Sequence, residues 1–178
     1  LFMFLAGTNF VLSYFALTGK FKKVLDDNEF VTFLAFVIIF SLIVFLVIYN
    51  SVDLNNSFFD FPQVFGKLEG SIRHALFQVL AVITTTGFVT SDYTAWTPFL
   101  TVFFFGLMFL GGSAGSTSGG IKVVRHLLMI KGGILEFKRA LHPNAIIQPR
   151  YNGKIVNQEI IGNILAFFIL YMISFIVG

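Results

Sequence analysis

The chain has 178 residues, of which 56% are hydrophobic, 17% aromatic and only 12% charged, with a mean hydropathy of +0.85 and a net charge of +3. An ordinary soluble domain carries about twice that share of charge, so the composition excludes one and describes a membrane protein. The lack of cysteine excludes disulfides, thiol catalysis and thiolate metal sites, and His74, His126 and His142 show no metal-ligand spacing.

Four apolar runs follow one another, at 2–17, 30–49, 98–110 and 160–177. About 20 such residues cross a bilayer, and only the second run, twenty residues without a charge, spans by length alone. The first lacks the basic start and small-residue cleavage site of a secretory leader, and its lysines follow it. Asp26, Asp27 and Glu29 precede the second run, where acidic side chains favour a helix N-terminus and no catalytic pair is expected. Both chain ends fall in or beside apolar runs and there is no initiator Met, as expected for a fragment of a longer protein.

Basic residues set the orientation. Lys20, Lys22 and Lys23 follow the first run, and Lys122, Arg125, Lys131, Lys138, Arg139, Arg150 and Lys154 precede the last. Residues 50–96 hold only Lys67 and Arg73, beside Asp53, Asp60, Glu69 and Asp92. By the positive-inside rule, 18–29 and 121–154 are cytoplasmic and 50–96 external. The net charge is then a matter of topology, and no nucleic-acid partner is expected. Tyr49, Tyr93 and Trp96 suit an interfacial aromatic belt.

Between the two crossings, residues 71–83 place Ile72, Leu76, Val79, Leu80 and Ile83 at helical spacing, with Ser71 as N-cap. Such a helix extends only about 20 Å, so it ends inside the membrane and the chain returns to the external side. The turn at its end reads Thr84, Thr85, Thr86, Gly87, Phe88. Non-helical backbone at that depth is tolerated where it is buried in protein or lines a water-filled cavity. Carbonyl and hydroxyl oxygens at the partially negative end of a half-helix suit a dehydrated cation, the physics of potassium-channel filters. By periodicity alone, an external turn between two helices remains the alternative.

After Thr97 and Pro98, an N-cap and first-turn pair, the third run enters Gly111, Gly112, Ser113, Ala114, Gly115, Ser116, Thr117, Ser118, Gly119 and Gly120. Each interior glycine costs a helix about 1 kcal/mol relative to alanine, so the helix is predicted to unwind there, about 20 Å below the outer surface. A phosphate-binding P-loop is excluded because Ile121 separates Gly120 from Lys122 and no Ser or Thr follows. Close packing through small residues accounts for a Gly111/Gly115 pair but not for ten small residues in a row. Further on, 134–142 has the apolar and basic residues of a short interfacial helix.

The segments ALFQVLAVITTTGF and GGSAGSTSGGIKVVR together resemble the membrane subunit of the Trk/Ktr family of bacterial potassium transporters, as do FLAGTNF, ALTGKFKK and LHPNAI. The resemblance implies an all-α membrane protein of helix–pore-loop–helix repeats, potassium-channel-like, with a broken inner helix. On that pattern, 1–19 end an inner helix of the second repeat and 29–128 form the complete third repeat. Residues 129–154 are then a cytoplasmic linker, and 155–178 the outer helix of the next repeat. Thr84, Thr85, Thr86 and Gly87 would be the selectivity filter, with K+ at the carbonyls of Thr85, Thr86 and Gly87. Residues 111–120 would be the gating loop, and Lys122 and Arg125 would stand at the cytoplasmic mouth. The implied function is potassium uptake across the bacterial cytoplasmic membrane by a multi-pass protein, not an enzyme. No covalent cofactor is expected. The implied partners are K+, the lipid bilayer, the other repeats of the parent, and a second membrane subunit on a soluble ring that binds a regulatory nucleotide. A broken-helix secondary transporter for another cation or a small solute is the alternative. Asp92 at the outer mouth would either raise local cation concentration or be simply a solvated turn residue, the latter being preferred.

Overall fold

A computed structural model describes residues 1–52, 66–142 and 149–177. Asp53 and Asp60, counted above among the external charges, and the Pro-Asn-Ala-Ile part of LHPNAI lie outside the described residues. In chain order the elements are α1 (Phe2–Gly7), α2 (Phe10–Leu17), α3 (Phe21–Leu25), α4 (Asn28–Ser51) and α5 (Lys67–Ile83). A 3-10 turn (Tyr93–Ala95) precedes α6 (Pro98–Leu107), α7 (Val123–Leu141), a two-stranded hairpin of β1 (Arg150–Tyr151) and β2 (Lys154–Ile155), and α8 (Gln158–Val177).

Among the described residues, two helices are long and apolar enough to cross a membrane, Asn28–Ser51 and Glu159–Val177. The first starts where an acidic side chain stops the preceding loop: Asp27 accepts hydrogen bonds from the amides of Glu29 and Phe30, both at 2.9 Å. An N-cap of this kind contributes about 1 kcal/mol. One stripe of α4, Phe33, Val37, Val44 and Ile48, is buried against Ala75, Val79 and Ile83 of α5 and Leu100, Phe104 and Leu107 of α6. The i, i+4 steps within these sets put each set on one helix face. The outer faces stay apolar, with Val102 71% and Ile176 82% exposed. Side chains of that kind belong against lipid or neighbouring protein rather than water.

Several boundaries differ from the sequence expectation. The run 2–17 is not one helix but two, because Thr8 turns its backbone to extended angles and Asn9 caps α2 through its side chain, accepting from the Val11 amide. Ser71 is not an N-cap. Helix α5 begins at Lys67 after Gly66, and the Ser71 hydroxyl, buried inside the helix, donates to the Lys67 carbonyl at 2.7 Å; a hydroxyl satisfied by i−4 back-bonding has no reason to end a helix. The stretch 134–142 is not a separate helix but, up to Leu141, the end of α7. Trp96 is buried in the core, its indole N–H donating to Ser91 Oγ at 3.2 Å, rather than set in an aromatic belt.

Candidate functional site

Helix α5 stops at the turn singled out in the sequence. The amide of Thr85 donates to the Val82 carbonyl at 3.0 Å and that of Thr86 to the Ala81 carbonyl at 3.1 Å. Those two bonds, with a left-handed residue between them, are the Schellman arrangement that closes a helix C-terminus. The left-handed position holds Thr85, at φ 54°, where glycine is usual. A β-branched residue there costs about 1–3 kcal/mol and persists only where its surroundings fix it. Gly87 returns to left-handed angles at φ 70°. Thr84 is buried and its hydroxyl donates to Leu80 O at 2.6 Å, whereas Thr85 and Gly87 are exposed. No carbonyl from Thr84 to Gly87 accepts a hydrogen bond from a described residue.

The chain leaving the turn is bound back to α5. The Gln78 amide donates to the Ser91 carbonyl at 2.6 Å in the buried interior, and His74 Nδ1 lies 3.2 Å from Thr90 Oγ1. Asp92 is an exposed turn residue, accepting from Thr94 N at 2.9 Å and Thr94 Oγ1 at 2.6 Å.

The glycine-rich stretch is unwound, with α6 ending at Leu107 and α7 starting at Val123. Its two ends close on each other: the Gly111 amide donates to Ile121 O at 2.9 Å and the Val123 amide to Gly112 O at 3.1 Å. A Cβ at Gly111 would stand 2.2 Å from the Gly119 carbonyl oxygen, so no larger residue fits this closure. The loop also fills the break between α1 and α2. Ser113 N donates to Gly7 O at 2.9 Å, Phe10 N to Gly115 O at 3.3 Å and Thr117 Oγ1 to Ala6 O at 3.2 Å. The open backbone at Gly7 therefore finds partners in the loop, which explains why the first apolar run divides there. One bond joins the loop to the turn above it, from the Gly119 amide to Thr85 Oγ1 at 2.7 Å.

The family model TrkH, described as cation transport protein, matches residues 1–178. The chain belongs to the TrkH family of cation transport proteins. Among members, it is 34% identical to the Trk system potassium uptake protein TrkH of Escherichia coli K12, over 100% of this chain and 35% of that protein. It is 32% identical to the Trk system potassium uptake protein TrkG of the same organism, over 96% of this chain and 33% of that protein. The crystal structure of the potassium transporter TrkH from Vibrio parahaemolyticus matches with a TM-score of 0.83 at 30% identity, covering 99% of this chain and 36% of that one. The chain thus spans about a third of the length of the relatives it matches, and its fold is that of a helical membrane transporter of the TrkH family.

Within this TrkH-family segment, the two basic residues assigned to the cytoplasmic mouth take different directions. Lys122 turns back onto the loop, its ammonium donating to the carbonyls of Ser116, at 3.4 Å, and Ser118. Arg125 instead lies over the Phe167 ring of α8, 3.9 Å from its centroid. Its guanidinium packs against the next helix, where a cation–π contact contributes about 0.5–2 kcal/mol. Within 129–154, the described residues form the end of α7 and the β1–β2 hairpin. Sequence reasoning also passed over Glu29, which it took for a simple helix-start charge. Glu29 is buried, and its Oε1 accepts from the Ala114 amide of the glycine-rich loop at 2.5 Å.

Proposed function

We propose that this chain supplies one filter segment and the gate of a potassium uptake protein of the bacterial cytoplasmic membrane. The observation that carries this reading is the turn from Thr84 to Gly87. Its carbonyls are unclaimed by any described donor, and they stand at the C-terminal end of a half-helix directly above a glycine-rich break. Left-handed residues at 85 and 87 flank Thr86, so the backbone departs from a regular strand and can turn successive oxygens to one side. The carbonyls of Thr85, Thr86 and Gly87 replace part of the hydration shell of K+, the transported ion. The negative end of the α5 dipole adds to the attraction. A single segment surrounds only part of an ion, and the remaining repeats of the parent supply the rest.

Residues 111–120 form the gate beneath the filter, crossing the break between α1 and α2. Lys122 stabilises the closed loop by holding two of its carbonyls, and Arg125 fixes α7 to the outer helix of the next repeat. The relatives are potassium uptake proteins by name, which supports K+ as cargo. A second membrane subunit and a soluble ring with a regulatory nucleotide complete the assembly, docking on the cytoplasmic side where the basic residues gather. No covalent chemistry is involved.

The test is Rb+ uptake by potassium-depleted cells that express the full-length parent and lack other potassium uptake. Competition by K+ at concentrations where Na+ is without effect is the expected result. Uptake blocked equally by Na+, or Rb+ entry that depends on an organic solute, would favour a broken-helix secondary transporter instead.

A further inference from the structure

Glu29 stands one residue inside the N-terminus of α4 and is only 4% exposed. Its two carboxylate oxygens serve different parts of the molecule. Oε1 accepts from Ala114 N in the middle of the glycine-rich loop, and Oε2 accepts from the Tyr151 hydroxyl at 3.3 Å. A buried carboxylate is costly unless its oxygens are bonded, and here both are.

Tyr151 belongs to the β1–β2 hairpin, which is fixed to its surroundings independently of Glu29. Asn152 Oδ1 accepts from Asn28 N at 2.9 Å and Asn152 Nδ2 donates to Asp27 Oδ2 at 2.7 Å. Lys131 of α7 donates to Arg150 O at 3.0 Å. The loop's other ties run to Thr85, to Ala6, Gly7 and Phe10, to the Lys122 ammonium, and to Ile121 and Val123 where its ends close. Among the described residues, Glu29 alone bonds both the loop and the hairpin.

We infer that Glu29 is a positioning residue for the gate, anchoring the loop at Ala114 and passing the position of the cytoplasmic hairpin to it through Tyr151. The inference rests on the reading of 111–120 as a gate. A partner that shifts the hairpin against α4 weakens the Tyr151 bond, reorients the carboxylate and loosens the loop, without touching the filter.

The experiment is Rb+ uptake per molecule in the full-length parent, at measured membrane abundance, for the native protein, Glu29→Ala, Glu29→Gln and Tyr151→Phe. Loss of the anchor should raise basal uptake about 10-fold, corresponding to ~1.4 kcal/mol, with K+ over Na+ preference retained. Glu29→Gln keeps an acceptor for the Ala114 amide and should stay within about 2-fold of native, as for a hydrogen bond exchanged rather than lost. A purely structural role would lower abundance without raising the rate per molecule. Native rates in Glu29→Ala at native abundance would overturn the inference. Should Glu29→Ala not reach the membrane, Tyr151→Phe decides: a raised basal rate supports the relay and an unchanged one overturns it. If the native protein carries no Rb+, the potassium reading fails by itself. The anchor is then judged by thiol labelling of Ala114→Cys from the cytoplasmic side, with faster labelling in Glu29→Ala supporting it and equal labelling overturning it.

Discussion

Tyr151 is half-buried beside two carboxylates, and burial together with the charges of Glu29 and Asp27 pushes its phenol well above its ordinary 10.0. The neutral phenol is therefore the form the fold favours. A group whose pKa is raised on folding contributes stability that is complete below its unfolded value and is lost as pH rises through the folded one. The hairpin contact should thus be indifferent to pH across the neutral range and weaken only above about pH 10. Ultraviolet titration of the native protein against Tyr151→Phe checks this, the expected difference being one tyrosine that ionises later than the rest. A difference that titrates with the ordinary tyrosines would contradict the burial and the charges assigned around it. The signal for this contact was present in the sequence: Asn152-Gly153 is a strong two-residue hairpin turn, with φ values of 46° and 77° as that turn requires. A long basic stretch concealed it because it reads as linker by composition. Glu29 was visible only as a charge near a helix start, since nothing local announces a bond to a residue 85 positions away.

The elements were legible to the extent that their signals are local. Thr97-Pro98, the glycine-rich break and the charge-free run 30–49 each specify a boundary or a crossing through neighbouring residues, and α6, the unwound loop and α4 follow them. The division between α1 and α2 was not legible, because it depends on the loop a hundred residues later that pairs with Gly7. Likewise the helix stop at Thr85 contradicts the usual preference for glycine at a left-handed cap, so the sequence drew attention to Gly87 instead. The glycines of the loop and of α7 should respond oppositely to substitution. Gly111→Ala forces a carbon to within 2.2 Å of a backbone oxygen and should destabilise the protein by more than about 2 kcal/mol, as overpacking of a rigid site does. Gly133→Ala meets nothing within 4 Å in the middle of α7 and should stabilise by about 0.5–1 kcal/mol. Thermal unfolding of the detergent-solubilised parent reads both, and a tolerated Gly111→Ala would refute the closed loop described here.

At the scale of the molecule, the apolar outer faces, the exposed side of the Thr84–Gly87 turn and the coverage of about a third of related transporters agree with one another. Among the described residues, hydrogen bonds run continuously from the Thr84–Gly87 turn through the glycine-rich loop to the hairpin. The Thr84–Gly87 turn is bonded to the loop through Thr85 and Gly119, and the loop to the β1–β2 hairpin through Glu29 and Tyr151. On the proposed reading, ion selection and gating would sit on separate groups joined by single hydrogen bonds, so that one could be altered while the other is preserved. Whether Thr84 to Gly87 select the ion is decided by the ion selectivity of uptake in the full-length parent with Gly87→Ser, at membrane abundance equal to native. A side chain at Gly87 has open space around it but a left-handed backbone that it resists. Reduced Rb+ uptake or admission of Na+ is expected, with the protein still folded and present. Unchanged rate and unchanged preference for K+ over Na+ would contradict the assignment of Thr84 to Gly87 as the filter.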